Sequence, residues 1–272
     1  MNKIPSEFKD AYGGGSLYGA IDELSTRVMV GIPMTGLLRA EWCIARYGQV
    51  IPCNWAQTDG IRWVDSQSPM NYLVADARNS IVKAAVENNF EWLLFIDHDV
   101  ILPQGFVIKI NEYMHKMEVP VLSGLYFTKS IPAEPLIYRG RGSSYYDKWK
   151  MGDKVWVDGL PMGCTLIHMS ILKEMYNDAT EYQYKGETIR QVFETPRRVY
   201  IDPQTQNWFT SVGTEDLNWC SKVIQQGYLK RAGWDKIAKK KYPFLIDTSL
   251  FCKHISPNGR QYPANGEEKE FS

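Results

Sequence analysis

Two aspartates stand where an apolar run ends. The stretch LLFIDHDVILP, residues 93–103, keeps a buried-strand pattern through Ile96, presents Asp97, His98 and Asp99, and then turns apolar again. Carboxylates held close together repel unless a proton or a cation sits between them. A strand end that fixes two of them reads as a ligand pair for a divalent metal. If extended geometry persists past Ile96, Asp97 and Asp99 share one face and His98 points the other way. The competing reading is that both aspartates cap the following turn, a frequent use of Asp. A second acidic group, Thr214-Glu215-Asp216, opens a helical pattern downstream. Residues of these types at a helix start offset its dipole and cap its free N–H groups.

The elements that must position these groups follow from periodicity and breakers. RVMVGIP, residues 27–33, is an apolar run of strand length closed by proline. A helix-compatible stretch follows from Leu37 to Tyr47. In ADARNSIVKAAVENNFEW, Ala77, Ile81, Ala84, Ala85 and Asn88 fall on one helical face, and the Asn pair supplies a stop. The aspartate strand comes next. Strand, helix, strand is the βαβ order of a sheet with parallel members and covered faces. VPVLSGLYF reads as a further strand, and residues 138–154 as a mobile surface loop. Then come KVWVDG, CTLIHMSILKEMY, a polar stretch with prolines and aromatics, a helix in TEDLNWCSKVIQQGY, and a strand in PFLIDTSLFCKHI. The organisation expected is an arm over 1–26, one domain over 27–255, and a frayed polar tail over 256–272.

The 272 residues are 44% hydrophobic, enough for a sizeable core. Thirty-one basic residues balance 31 acidic ones, which excludes a global field drawing the molecule to a polyanion. Only the basic run KIAKKKY, residues 236–242, offers a local one, and its usual meaning is a solvated surface. Five cysteines without CxxC pairing argue against a disulfide framework or a structural zinc site, and favour a reducing compartment. No stretch reaches the ~20 apolar residues of a membrane span. The expectation is a cytoplasmic protein without a membrane span.

Five stretches, in order, carry a resemblance: GIPMTG, DARNSIV, FIDHDV, GTEDLNWCSKV and DTSLFCKHI. Together they resemble GT-A glycosyltransferases from about Val28 to His254, and most closely the small soluble members, virus-encoded ones included. The resemblance implies a single Rossmann-like α/β domain with a mixed, mostly parallel central sheet flanked by helices. It implies a DXD motif in which Asp97 and Asp99 hold Mn²⁺ (or Mg²⁺) against the diphosphate of a nucleotide-sugar, with His254 as third ligand. An ordinary partly buried histidine is the alternative for His254. Pro33, Met34 and Thr35 match the positions that pack base and ribose, and Asp76, Arg78 and Asn79 the patch beneath base and phosphate. Arg78 could instead form a helix-surface ion pair with Asp76 or another carboxylate. Asp216 is implied as base and Glu215 as holding acceptor or neighbouring backbone. Asp158 and Gly163 are implied in the sugar and acceptor floor, a surface turn being the alternative for that stretch.

The implied reaction is metal-dependent hexosyl or pentosyl transfer from a nucleotide-diphosphate sugar to a hydroxyl acceptor, with inversion. A glycan, a small molecule or a modified nucleic acid would each serve as acceptor. The alternatives are a nucleotidyltransferase acting on a sugar phosphate and a non-catalytic nucleotide- or carbohydrate-binding module. No glycine-rich phosphate loop of the nucleotidyltransferase type follows the first strand, which disfavours the former.

Overall fold

A computed structural model describes residues 28–50, 61–63, 69–140, 146–201, 203–204, 206 and 208–264. The expected N-terminal arm, Cys53, residues 141–145 of the expected surface loop, and the last eight residues lie outside the described residues.

The chain opens with β1 (Val28–Gly31), α1 (Ala40–Tyr47) and β2 (Ile61–Trp63). Helix α2 (Val74–Glu87) buries Ala77, Ile81, Ala84 and Ala85, the face their spacing defines. It stops at the Asn pair: Asn88 is the C-cap and Asn89 takes φ 53°, a left-handed conformation that Asn tolerates. Next come β3 (Trp92–Ile96), β4 (Val100–Ile101), α3 (Phe106–Lys116), β5 (Val121–Leu125), β6 (Lys154–Val157), β7 (Cys164–His168) and α4 (Met169–Asp178). The remainder is β8 (Glu181–Tyr184), β9 (Glu187–Arg190), β10 (Arg197–Ile201), β11 (Trp208–Val212), α5 (Glu215–Gln225), α6 (Tyr228–Arg231), α7 (Asp235–Ala238), β12 (Phe244–Phe251), β13 (Lys253–Ile255) and β14 (Gln261–Tyr262).

Seven strands form the central sheet in the order β2-β1-β3-β7-β5-β12-β6. Strands β2, β1, β3, β5 and β12 run one way, while β7 and β6 run against their neighbours. The sheet is thus mixed and mostly parallel. Every residue of β3 is buried because both faces are covered. Leu93 and Phe95 face one apolar core, with Ile81 of α2, Leu172 of α4 and Trp219 of α5. Trp92, Leu94 and Ile96 face a second core with Trp42 of α1 and Phe106 and Ile110 of α3. Each such side chain contributes roughly 1.5–3 kcal/mol by leaving water. The result is a three-layer, Rossmann-like α/β domain.

Two expectations are corrected. The polar stretch before α5 contains two antiparallel hairpins, β8-β9 and β10-β11. In the first, Lys185 at φ 49° and Gly186 at φ 84° form the two-residue turn whose twist suits paired strands. The first part of the expected tail, residues 256–264, also carries regular structure. Strand β14 pairs with β13, which pairs with β4 in a small three-stranded sheet.

Candidate functional site

Strand β1 has β2 on one side and β3 on the other, so the chain's order reverses between β1 and β3. Crevices at such reversals, beyond the strands' carboxyl ends, are where open α/β sheets gather ligands. The segments leaving these two ends touch through His98. Its Nδ1 lies 3.2 Å from the Pro33 carbonyl and its Nε2 lies 3.2 Å from Thr35 Oγ1.

Extended geometry does not persist past Ile96. The Val100 N–H donates to the Asp97 carbonyl at 3.1 Å, closing a turn over 97–100, so strand alternation does not set the directions of Asp97 and Asp99. Neither carboxylate caps that turn; each takes a side-chain cation instead. The Asp97 backbone is anchored twice, by its N–H on the Gly163 carbonyl at 2.8 Å and by the Trp42 indole N–H on its carbonyl at 2.8 Å.

Arg78 is only 2% exposed, and this corrects its reading as a helix-surface ion pair with Asp76. Its Nη2 donates to Asp97 Oδ2 at 3.0 Å and its Nε to Glu215 Oε1 at 3.2 Å, with the guanidinium over the Phe95 ring. Burial opposes the charge, but Asp97 and Glu215 outweigh it and raise the Arg78 value above its ordinary one. Two buried polar atoms at this cluster have no partner among the described residues, Arg78 Nη1 and Asp97 Oδ1. An orphaned carboxylate oxygen is costly unless a donor or cation meets it.

Asp99 pairs with Lys129 of the loop after β5. Burial would raise the Asp99 carboxyl, but His254, Lys129 and His98 together hold it below its ordinary value. His254 reaches the same end because β13 pairs with β4, setting His254 opposite Val100, and the Ile255 N–H donates to the Asp99 carbonyl at 2.8 Å. Its Nδ1 meets the Phe127 carbonyl and its ring lies edge-on to Tyr126, centroids 4.8 Å apart. Burial lowers the His254 value, against the pull of Asp99. A neutral imidazole that donates Nδ1–H to a carbonyl presents the Nε2 lone pair outward, the arrangement that orients metal-binding histidines. Lys129 is the side-chain cation that pairs with the Asp99 carboxylate. No three His, Cys, Asp or Glu side chains close on one point at metal-ligand spacing among the described residues. By chemistry Asp97, Asp99 and His254 are oxygen and nitrogen donors of the kind Mn²⁺ takes, and Asp97 Oδ1 is an acceptor without a partner among the described residues.

On α5, Glu215 is buried and its Oε1 accepts from Arg78 Nε. Asp216 is half-buried and accepts the Leu217 N–H at 2.7 Å, so the helix-terminus reading holds for it too. Burial, then the neighbouring Glu215, push the Asp216 carboxyl up to about 6, against the Thr214 hydroxyl, the Leu217 N–H and Arg78. Two clefts flank the segment that leads into α5. One, of about 390 Å³, includes Asp76, Tyr182, Phe193 and Glu194 in its lining. The other, of about 350 Å³, is lined by Tyr138, Pro196, Gly213, Thr214, Leu217, Asn218 and Ser221.

The remaining expected residues divide. Asp76 turns from Arg78 and accepts the Tyr182 hydroxyl, while Asn79 is buried against the Phe193 backbone. Met34 bridges to Met70 beside the exposed Thr35. Asp158 accepts the Gly140 N–H at 2.8 Å, tying a loop. Gly163 is required by a protein contact: an added Cβ would lie 2.6 Å from Tyr126 Oη and 2.9 Å from Val100 Cγ2. Sequence reasoning missed Tyr126, Lys129 and Trp42. Tyr126 is buried, its hydroxyl accepts the Gly163 N–H at 2.7 Å, and burial with Asp97 nearby raises its value well above the ordinary one. A glycine at a strand's start is the one signal of that close approach. Nothing in the local pattern marks Lys129.

No protein-family model matches the chain, and no curated protein matches it. Among solved structures, it is similar to the crystal structure of A197 from STIV, at 15% identity and a TM-score of 0.49, over 88% of this chain and 94% of that one.

Proposed function

We propose that the protein is a metal-dependent glycosyltransferase of the GT-A kind, moving a hexosyl or pentosyl group from a nucleotide-diphosphate sugar to a hydroxyl acceptor with inversion. One observation carries this reading. An aspartate with an unpartnered buried oxygen, a second aspartate and an imidazole held through its Nδ1 lie at the same end of the sheet, and α5 carries a carboxyl pushed up to about 6. The order of the five sequence stretches supports it.

Asp97, Asp99 and His254 would hold Mn²⁺ or Mg²⁺. That cation supplies Lewis-acid neutralisation of the charge on the departing nucleoside diphosphate. Arg78 holds the Asp97 carboxylate in place, and Trp42 and Gly163 hold its backbone. Asp216 removes the proton of the attacking hydroxyl. A carboxyl near 6 is charged in about one tenth of molecules at pH 5 and about nine tenths at pH 7, so turnover rises through pH 6 and then levels. The linkage to stability runs the opposite way. A carboxyl raised on folding binds its proton more tightly in the folded state, so its contribution weakens as pH climbs from about 4 to 6. The cleft beside Thr214, with one aromatic ring and several hydroxyl and amide groups, suits a sugar-like acceptor.

The test is incubation with Mn²⁺ and a panel of nucleotide-sugars, reading sugar release or transfer and the anomeric configuration of the product. Asp216→Asn should lower turnover by roughly 10²–10⁴ while leaving donor binding intact. Release of pyrophosphate from a nucleoside triphosphate and a sugar phosphate would point to the nucleotidyltransferase instead. Tight donor binding without turnover, across many acceptors, would point to the binding module.

A further inference from the structure

The two carboxylates at the switch point are each neutralised by a side-chain cation, but the two cations are held very differently. Arg78 is fully buried and locked between Asp97 and Glu215. Lys129 is 34% exposed, on an Asp99 that is 27% exposed, and Asp99 is the only group that receives its ammonium among the described residues. Lys129 stands on a short closed loop. Thr128 N–H donates to the Glu134 carbonyl at 2.9 Å and Glu134 N–H returns to Thr128 Oγ1 at 3.0 Å. The loop's base is fixed, since the Phe127 carbonyl meets His254 and the Leu136 N–H donates to the Tyr126 carbonyl at 3.0 Å. Its tip, Ser130 to Pro132, is exposed. The same loop therefore orients one proposed metal ligand through Phe127 and covers another through Lys129.

We propose that Lys129 is an exchangeable cation: it occupies Asp99 in the free protein, yields that oxygen when the divalent ion binds, and moves its ammonium onto the diphosphate the ion brings. This rests on the metal-dependent reading above and goes beyond it by naming the residue that competes for the site. A lysine suits the task. Its ammonium is a compact point charge on a flexible four-carbon stem, so it can change partners without moving backbone, whereas a forked guanidinium held at two points cannot. The exchange also makes electrostatic sense. An ammonium left beside a divalent cation is repelled, and the phosphate oxygens offer the nearest compensating charge. Lys129 thus keeps the site charge-balanced both before and after the donor arrives, and ties metal binding to diphosphate binding.

The test uses the intact protein, wild type and Lys129→Met, with two probes followed by calorimetry: Mn²⁺ alone, and the Mn²⁺ complex of inorganic pyrophosphate. Methionine keeps the stem's packing and removes the charge. The expected result has opposite signs. Lys129→Met binds Mn²⁺ alone more tightly, by about five-fold, and binds Mn²⁺-pyrophosphate more weakly by a similar factor. Lys129→Arg restores part of the pyrophosphate affinity. Equal Mn²⁺ affinity in wild type and Lys129→Met would overturn the exchange and leave the metal reading standing. Parallel weakening toward both probes would assign Lys129 a structural role. Tighter Mn²⁺ binding with unchanged pyrophosphate binding would remove the hand-over. If neither protein bound Mn²⁺ or its pyrophosphate complex, the metal-dependent reading and the exchange would fail together.

Discussion

Asp97 and Asp99 are two residues apart in sequence, yet they sit in opposite kinds of surroundings. On the Asp97 side everything is buried and doubly held: Arg78 bridges two carboxylates from different elements, Trp42 and Gly163 pin the backbone, and Tyr126 closes over Gly163. On the Asp99 side the partner is a part-exposed lysine on the loop after β5, and the His254 ring is held through Nδ1 on the Phe127 carbonyl of that same loop. One half of the site is therefore part of the fold's core, and the other half is free to change partners. Stability and ligand response should separate along the same line.

The largest expected effect is on the buried half. Arg78→Met removes the cation and leaves Glu215 and Asp97 facing each other with their charges uncompensated, which should cost about 3–5 kcal/mol in urea unfolding. Next is Gly163→Ala, where the new methyl must displace the Tyr126 hydroxyl and Val100; roughly 1–3 kcal/mol is expected, read from the denaturation midpoint. On the open half, Lys129→Met should change stability by less than about 1 kcal/mol, because a part-exposed ion pair contributes little. The contrast breaks if Lys129→Met destabilises as much as Arg78→Met. A last, finer test concerns Asp216. The rate should climb with unit slope up to about pH 6 and then flatten, and a flat profile from pH 5 to 8 would remove it as base.

The open half was the more legible in sequence. The apolar run ending in two aspartates is a local signal, and the βαβ order before it announces the sheet that holds them. The Asn stop and the α2 face were likewise local, and both appear in the structure except that Asn88, read onto that face, is the exposed C-cap. The buried half depends on contacts between distant residues. Arg78 meets Glu215 across 137 positions, and no periodicity distinguishes a buried arginine from one on a helix surface. The turn at 97–100 was also invisible, because Val100 and Ile101 continue a strand pattern while actually starting β4 in a different sheet. The hairpin β8-β9 was missed because its strands are only four residues long and bury a single apolar side chain, Ile189, and only Lys185-Gly186 marks the turn. Lys129 was illegible for the plainest reason: a single exposed lysine is the commonest surface residue, and its meaning comes entirely from the aspartate opposite.

The central claim is that Asp97, Asp99 and His254 bind one divalent cation that in turn receives a nucleotide-sugar. Thermal unfolding with a panel of nucleotide-sugars, with and without Mn²⁺, tests it most directly, since a ligand that binds only the folded state raises its midpoint. The account predicts that at least one nucleotide-sugar raises the melting temperature only when Mn²⁺ is present, and that Asp99→Asn abolishes the increase. No shift by any nucleotide-sugar with Mn²⁺, or the same shift in its absence, would contradict it.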